Sequence, residues 1–376
     1  MGPNADLVGL KGSRGRLTTP AIVLDMDRFE RNLATMDRLI RDAGLTLRPH
    51  GKTHKCSAMA RRQIDAGAVG LCCATLREAA VMVEAGIGGV HVSSPIVGDR
   101  KIARLAGLAA KADRLSVVVD NPGIAREIAA AVQQLGASID AIVDFDIGLG
   151  RTGVATIEDA VALARLVTQT PGLRYAGVQG SSGRVQHIEA YFERERIYGA
   201  QLDRLAGLVA ALREAGLEPS IVTGGGTGTF GIDRGRGLFT EHQAGSYCVM
   251  DVEYNRVQLL ADRMSPFETA LTLMCSVVSA NAAGHVTIDA GFKCFATESF
   301  PPEFSAGAPP GASYDWFGDE HGKLVFAHSN DALPLGAKVE LVTPHCDPTL
   351  NLHDYIHCVR GDTLVDIWPI DARGAL

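Results

Sequence analysis

The feature that most constrains this chain is a rhythm. Short apolar stretches with strand character recur near residues 45–49, 68–73, 89–94, 115–119, 139–145, 174–179, 219–223 and 246–250. Helical patterns over 56–66, 76–85, 100–112, 123–135, 157–168 and 188–215 separate most of them. Strands alternating with helices must pair in parallel, because each helix carries the chain back across the sheet, and eight such units in a row describe a (β/α)8 TIM barrel. A doubly wound open sheet is the competing architecture.

From about Phe267 the helical intervals stop. Strand patterns at 271–280, 285–290, 324–328, 338–343 and 355–360 follow one another, with a Pro- and Gly-rich excursion at 300–311. The expected organisation is therefore a barrel over 26–264 followed by a C-terminal β domain over 265–376. Residues 1–25, whose strand at 19–25 precedes the barrel and needs a partner, are assigned to that β domain. Length supports this division, since 376 residues exceed what one core usually covers.

Composition narrows the function classes. Hydrophobic residues make up 46% and charged residues 21%, and the net charge of -7 is spread along the chain. There is no basic block to meet nucleic acid or a membrane surface, so a small molecule is the expected partner. No stretch is long and apolar enough for a membrane span, and residues 1–19 lack the apolar core of a signal peptide, which places the protein in the cytoplasm by expectation. Eight cysteines, including adjacent Cys72 and Cys73 in an apolar run and no CxxC pair, read as reduced core residues.

Three constellations carry chemistry. Leu-Thr-Leu-Arg-Pro-His-Gly-Lys-Thr-His, ending at His54, places Lys52 where the first barrel strand opens into a loop, the end at which barrel enzymes keep their active sites. Desolvation there, together with Arg48, His50 and His54, is expected to disfavour the charged amine and so suit it to Schiff-base chemistry. A surface lysine after a strand is the bland alternative.

The second is Val-Thr-Gly-Gly-Gly-Thr-Gly-Thr-Phe, after the expected seventh strand. Its residues Gly225, Gly226, Thr227 and Gly228 form a backbone nest for a phosphate, with Gly245 and Ser246, expected to open the eighth strand, as the second wall. A lysine and a phosphate nest at one barrel mouth together suggest pyridoxal 5'-phosphate, with Arg151, on a Gly-flexed loop after strand five, reaching the cofactor ring or a substrate carboxylate. Pairing of Arg151 with Asp144 or Asp146 is the alternative.

The third constellation is Pro-His-Cys-Asp-Pro-Thr-Leu-Asn-Leu-His-Asp, from Pro344 to Asp354. In an extended chain His345 and Asp347 share a face and Cys346 points away. Imidazole and carboxylate suit Mn²⁺ or Mg²⁺, whereas imidazole and thiolate would suit Zn²⁺.

Taken together, the Arg-Pro-His-Gly-Lys-Thr-His-Lys, Gly-Leu-Gly-Arg-Thr-Gly, Gly-Gly-Gly-Thr-Gly, Gly-Ser-Tyr and Pro-His-Cys-Asp-Pro-Thr-Leu-Asn-Leu-His-Asp motifs resemble the D-threonine aldolase group of alanine racemase-like pyridoxal-phosphate enzymes. That group includes D-3-hydroxyaspartate aldolases and D-serine dehydratases. The resemblance runs from about Thr19 to Arg373.

It implies a Lys52 Schiff base and a homodimer with active sites between subunits. It also implies a divalent metal on His345 and Asp347, and cleavage of D-3-hydroxy amino acids, such as D-threonine to glycine and acetaldehyde. The His-x-Asp pair resembles the aldolase form, since the dehydratases typically carry His-x-Cys. The resemblance places Gln243 opposite the pyridine nitrogen, with Tyr247 as a second candidate, and implies that a neutral amide there leaves that nitrogen less protonated than a carboxylate partner would.

Gln179 and Ser181 fall at the expected mouth. Ser181 replaces a usual tyrosine, Ser182 a histidine proposed as a base in some aldolases, and Thr75 a usual glutamine. With Ser182 present, metal-bound hydroxide is the expected base and His50 the next candidate, while Asn351, His353 and His187 are expected near the site or as hydrogen-bonded loop residues. The rivals are a dehydratase forming a 2-oxo acid and ammonia, a non-catalytic pyridoxal-phosphate carrier, and a metal-dependent barrel hydrolase.

Overall fold

The structure, a computed structural model, describes residues 2–328 and 330–375. After strand β1 (Ala21–Asp25) and helix α1 (Met26–Asp42), the chain alternates through β2 (Thr46–Leu47), α2 (Ser57–Asp65), β3 (Leu71–Cys73), α3 (Leu76–Glu84), β4 (Val90–Val92) and α4 (Asp99–Ala109). It continues through β5 (Leu115–Val119), α5 (Pro122–Gln134), β6 (Ile139–Phe145), α6 (Ile157–Gln169), β7 (Leu173–Gly180), α7 (Tyr191–Glu214), β8 (Ile221–Gly224), α8 (Phe230–Arg236) and β9 (Glu241–His242).

The eight strands β2 to β9 form one parallel sheet in the order β2-β9-β8-β7-β6-β5-β4-β3. The remaining seam, between β2 and β3, is bridged in parallel at His50 and Cys72, where the Cys72 N–H donates to the Pro49 carbonyl over 2.9 Å. The sheet is thereby curled into the (β/α)8 arrangement.

Local signals set the helix starts. Thr75 and Glu78 form a reciprocal capping box on α3, Asn121 caps α5 ahead of Pro122, and Thr156 caps α6. Outward-facing strand residues such as Val117, Val143 and Val178 are fully buried against Leu105, Ile128, Leu163 and Leu205 of the surrounding helices. Burying each such side chain stabilises the shell by about 1.5–3 kcal/mol.

The last barrel strand corrects the sequence reading. It is Glu241–His242, and the expected strand at 246–250 begins instead as a tight helical turn over Ser246–Cys248. Apolar run and β-branching cannot tell where a parallel ladder has partners; here the pairing of β2 and of β8 with this part of the chain is confined to 241–242. Gly245 and Ser246 therefore follow the eighth strand rather than open it.

After α9 (Val252–Arg256) come β10 (Leu271–Ser279), β11 (His285–Ile288), β12 (Glu303–Ala306), β13 (Ser313–Trp316), β14 (Gly322–Val325) and β15 (Lys338–Val342). The chain ends with α10 (Cys346–Leu350), β16 (Tyr355–Arg360) and β17 (Thr363–Pro369). β12 lies inside the expected loop excursion and pairs with β15. In this second sheet β1 pairs antiparallel with β10 and parallel with β16.

The second core spans both parts. The α1 stripe of Phe29, Leu33, Met36 and Ile40 packs with Tyr247 and Val249 after the barrel and with Leu271, Leu273 and Ile356 of the sheet. That shared core holds the β domain over the barrel mouth. All eight cysteines are buried and unbridged, and no helix among the described residues is long and apolar enough to cross a membrane.

Candidate active site

Beyond β2 the chain passes Pro49 and His50 and makes a short turn over Gly51–Thr53, which carries Lys52 into a cavity of about 180 Å³ at the barrel mouth. Gly51 is required there, because a Cβ would lie 2.7 Å from Leu71 Cδ2. The His50 ring is locked beneath the turn, its Nδ1 accepting from the Lys52 N–H at 3.4 Å and its Nε2 lying 3.0 Å from Ser93 Oγ. Lys52 Nζ lies 3.2 Å from Asp347 Oδ2.

This contact overturns the expected electrostatics of the lysine. The Asp347 carboxylate raises the Lys52 pKa above its ordinary value and outweighs the opposing effect of desolvation. The anticipated like charges are directed elsewhere. Arg48 is buried against Glu241 and the Gly89 carbonyl. His54 bonds Gln63 at 3.1 Å, and burial takes its pKa down to about 4. Burial likewise takes His50 well below its usual value. With both imidazoles neutral, the amine in this arrangement is an ammonium.

The glycine loop after β8 lines the opposite wall. Gly225, at φ 70°, passes so close to the His242–Asp233 pair that a Cβ would lie 2.4 Å from His242 Nε2, and a Cβ on Gly226 would lie 2.5 Å from Gln186 Oε1. Gly245 is held as tightly, 2.5 Å from Thr53 Oγ1 by the same test. Gly225, Gly226, Thr227, Gly245 and Ser246 all face the cavity. Two amides expected in the nest are engaged internally, that of Gly226 with Thr229 Oγ1 at 3.0 Å and that of Gly228 with Gln186 Oε1 at 2.9 Å.

Three expected contacts are therefore placed differently. Gly228 turns toward Gln186 instead of the cavity. Tyr247 is buried in the second core with its hydroxyl near Gln63, and only its N–H reaches the loop, at Thr227 Oγ1. Gln179 lies one layer below, inside the barrel, where it holds Gln243. Gln243, Ser181 and Arg151 do line the cavity. Asp146 accepts the N–H groups of Gly148, Leu149 and Gly150, and Asp144 bonds Thr152 and Gln179, so neither expected partner pairs with Arg151 among the described residues.

Asp347 lines the same cavity, and His345 meets it there by a route other than extended alternation. His345 is the extended residue capping α10 and Asp347 lies in its first turn, so the strand-to-helix step brings Nε2 to 3.9 Å from Asp347 Oδ1. His345 Nδ1 lies 2.9 Å from Glu298 Oε1. Burial pushes Asp347 up, but Lys52 and His345 together hold it well below the usual carboxylate range. Burial pushes His345 down, yet Asp347, Asp251, Glu253 and Glu298 leave it raised.

An imidazole nitrogen facing a carboxylate, with an outer carboxylate orienting the ring, is a donor set that fits a divalent cation. Cys346 is buried between them with its thiol pushed well above the ordinary range by burial and by Asp251, so it offers no thiolate. Among the described residues no group of three or more His, Cys, Asp or Glu side chains forms a metal cluster, so the pair stands alone.

The neighbours of this pair were the least legible. His187, on the turn after β7, stacks at 5.1 Å on Tyr254 and lies 5.8 Å from the His345 ring, with its Nδ1 3.1 Å from Glu253 Oε2. It therefore lies at the His345 edge of the site. Glu253 and Glu298 belong to segments with no motif character, so no local pattern marks them. Asn351 bonds Lys55, His353 bonds the Cys294 carbonyl, and Thr75 caps α3, all structural roles.

A lysine-bearing parallel barrel followed by an antiparallel β domain is the arrangement of the alanine racemase-like class. The family model of the alanine racemase N-terminal domain matches residues 24–252, and that of a serine dehydratase domain matches 270–359. The chain is 40% identical to the D-threonine aldolase of Arthrobacter sp. over 96% of its length and 93% of that protein. It is 33% identical to the 3-hydroxy-D-aspartate aldolase of Paracoccus denitrificans, over 98% and 96% of the two chains.

The crystal structure of D-threonine aldolase from Filomicrobium marinum superposes with a TM-score of 0.93 at 41% identity, covering 96% of this chain and 97% of that one. The chain belongs to the D-threonine aldolase and 3-hydroxyaspartate aldolase family of alanine racemase-like enzymes, whose fold carries pyridoxal phosphate.

Proposed function

We propose that this enzyme cleaves D-3-hydroxy amino acids by a retro-aldol reaction, taking D-threonine to glycine and acetaldehyde. The observation that carries the reading is the contact of Lys52 Nζ with Asp347 Oδ2 at 3.2 Å, in the cavity that the glycine cradle also lines, with His345 Nε2 3.9 Å from Asp347 Oδ1. Lys52 and the cradle of Gly225, Gly226, Thr227, Gly245 and Ser246 would hold pyridoxal 5'-phosphate, and His345 and Asp347 a divalent cation, Mn²⁺ or Mg²⁺ in preference to Zn²⁺.

When bound, the cofactor supplies a sink for the electron pair released from the Cα–Cβ bond, and the cation an acidified 3-hydroxyl. His187 would take the hydroxyl proton: its ring lies 5.8 Å from that of His345, burial lowers its pKa, and Glu253 at 3.1 Å orients it. His50, with both ring nitrogens engaged, is not free for that role. Arg151, facing the cavity without a carboxylate partner among the described residues, is placed to bind a substrate carboxylate. This favours D-3-hydroxyaspartate as a second substrate.

The family resemblance supports a homodimer, and the stacked pair of Phe292 and Trp316 at 4.9 Å, with Phe292 43% exposed, supplies an apolar surface for it. The eight unbridged cysteines support a reducing, cytoplasmic setting.

The test is product analysis of the protein with pyridoxal phosphate, Mn²⁺ and D-threonine, beside L-threonine and chelator controls. Glycine and acetaldehyde from the D isomer alone, lost with the chelator, are the expected products. Formation of 2-oxobutanoate and ammonia would make the enzyme a dehydratase.

A further inference from the structure

The inside of the barrel contains a column of buried polar side chains whose hydrogen-bond directions can be fixed one by one. At its lower end Glu241 is paired with Arg48 Nη2 at 2.8 Å, and its other oxygen lies 3.0 Å from Thr223 Oγ1. A paired carboxylate has acceptors only, so the single Thr223 proton goes to Glu241. Thr223 Oγ1 can then only accept from its other neighbour, the Gln243 amide, 2.9 Å away.

The other arm gives the same answer independently. One end of the Gln179 amide lies 2.9 Å from Asp144 Oδ1 and 3.2 Å from the Ser93 carbonyl oxygen. The carbonyl has no proton whatever the state of Asp144, so this end is the Gln179 nitrogen and the opposite end is its oxygen. That oxygen lies 3.1 Å from Gln243 and 3.1 Å from His91 Nε2. His91 is neutral, with burial taking its pKa to about 4, and its Nδ1 lies 2.9 Å from Ser116 Oγ. Nε2–H donating to Gln179 and Nδ1 accepting from Ser116 satisfies every member of the column.

Both N–H bonds of Gln243 are therefore used inside the barrel, and its Oε1 is the polar atom left for the cavity that Gln243 lines. Turning the amide over would set its oxygen against two buried acceptors and leave both without a donor. We propose that Gln243 is a locked hydrogen-bond acceptor, with Thr223 and Gln179 as its positioning residues, and that the ligand atom facing it binds in a protonated form. Given the pyridoxal-phosphate reading above, on which this rests, that atom is the pyridine nitrogen. The cofactor is thus held as the pyridinium, the stronger electron sink, by a neutral residue. The sequence reading compares an amide with a carboxylate partner; the fixed direction of the amide adds that the end left for the ring is an acceptor, which a protonated nitrogen satisfies.

The experiment reconstitutes the holoenzyme with pyridoxal phosphate labelled with ¹⁵N in the ring and reads the ring ¹⁵N shift alongside the near-ultraviolet absorbance of the lysine-bound cofactor. The wild type should show the protonated shift at neutral pH. Gln243→Met should retain the absorbance band and move to the unprotonated shift, and Thr223→Val, which frees one arm of the lock, should give an intermediate position. Should Gln243→Met not fold, affinity in the wild type for the 1-deaza analogue, which lacks the nitrogen, serves instead. It should fall roughly tenfold below that for pyridoxal phosphate, the worth of one buried hydrogen bond. An unprotonated shift in the wild type with the band present, or equal affinity for the two cofactors, overturns the acceptor assignment and leaves the cofactor reading standing. No absorbance band with pyridoxal phosphate removes that reading and the assignment with it.

Discussion

The two faces of the barrel sheet are built on opposite rules. The outer face, toward the helices, is an apolar packing of Val117, Val143, Val178, Leu105 and Leu205, all close to zero exposure. The inner face carries Arg48, Glu241, Thr223, Gln243, Gln179, His91 and Ser116, equally buried and joined by hydrogen bonds. A small apolar layer of Val118, Ile142 and Ala176 also lies inside. Barrel interiors are usually filled by branched apolar side chains. Apolar packing is tolerant, since any side chain of the right volume serves, whereas a buried polar column works only when every donor finds its acceptor. The intolerant arrangement stands on the face that leads to the cavity, and the direction it imposes on Gln243 is what the apolar shell cannot supply.

Substitutions on the two faces sharpen that contrast. The largest effect is expected for Glu241→Leu, which strands the Arg48 guanidinium in the interior and should lower stability by about 3–5 kcal/mol in urea unfolding; Arg48→Met added to it should restore most of the loss. A loss below about 1 kcal/mol for the single change would show that the column is not an energetic unit.

Next comes acid sensitivity. His91 has a folded-state pKa of about 4, below its unfolded value, so the unfolded chain binds the proton first and stability falls as pH drops from about 6.5 toward 4. The contribution is roughly 3 kcal/mol over that window. His91→Gln should flatten the acid limb of a thermal-melt series, and an unchanged slope would place the titration elsewhere.

Thr223→Val, nearly the same volume with no hydroxyl, is expected to cost about 1–3 kcal/mol by leaving Glu241 and Gln243 short of a partner. On the outer face Leu105→Met, also conservative in volume, should cost less than about 1.5 kcal/mol. If the outer change were the more damaging in calorimetry, the contrast between the faces would fail.

Legibility followed locality. Lys52, Gly225, Gly226 and Thr227 were readable because each lies within a few residues of a strand end, and strand, turn and glycine signals are properties of neighbours in sequence. His345 and Asp347 were readable as a pair for the same reason, although the helix start at Cys346, not strand alternation, makes them converge. The reading at 246–250 failed because an apolar β-branched run describes a buried segment without saying what it pairs with, and the ladder of β2 and β8 stops at His242.

Contacts across long separations left no local mark: Asp347 beside Lys52, His187 beside His345, and Glu241 beneath Arg48. The first of these reversed the expected charge state of the lysine. The second brought a base candidate to the His345 edge, where Ser182 had seemed to remove one.

By itself the sequence determined the parallel barrel, the β domain after it and many of the side chains that line the cavity, because alternation, capping and turn chemistry act over one or two turns of chain. Only the tertiary structure decided which charges face each other and which end of the Gln243 amide looks into the cavity. Those outcomes depend on distances of about 3 Å between residues far apart in the chain, the range at which hydrogen bonds and ion pairs act.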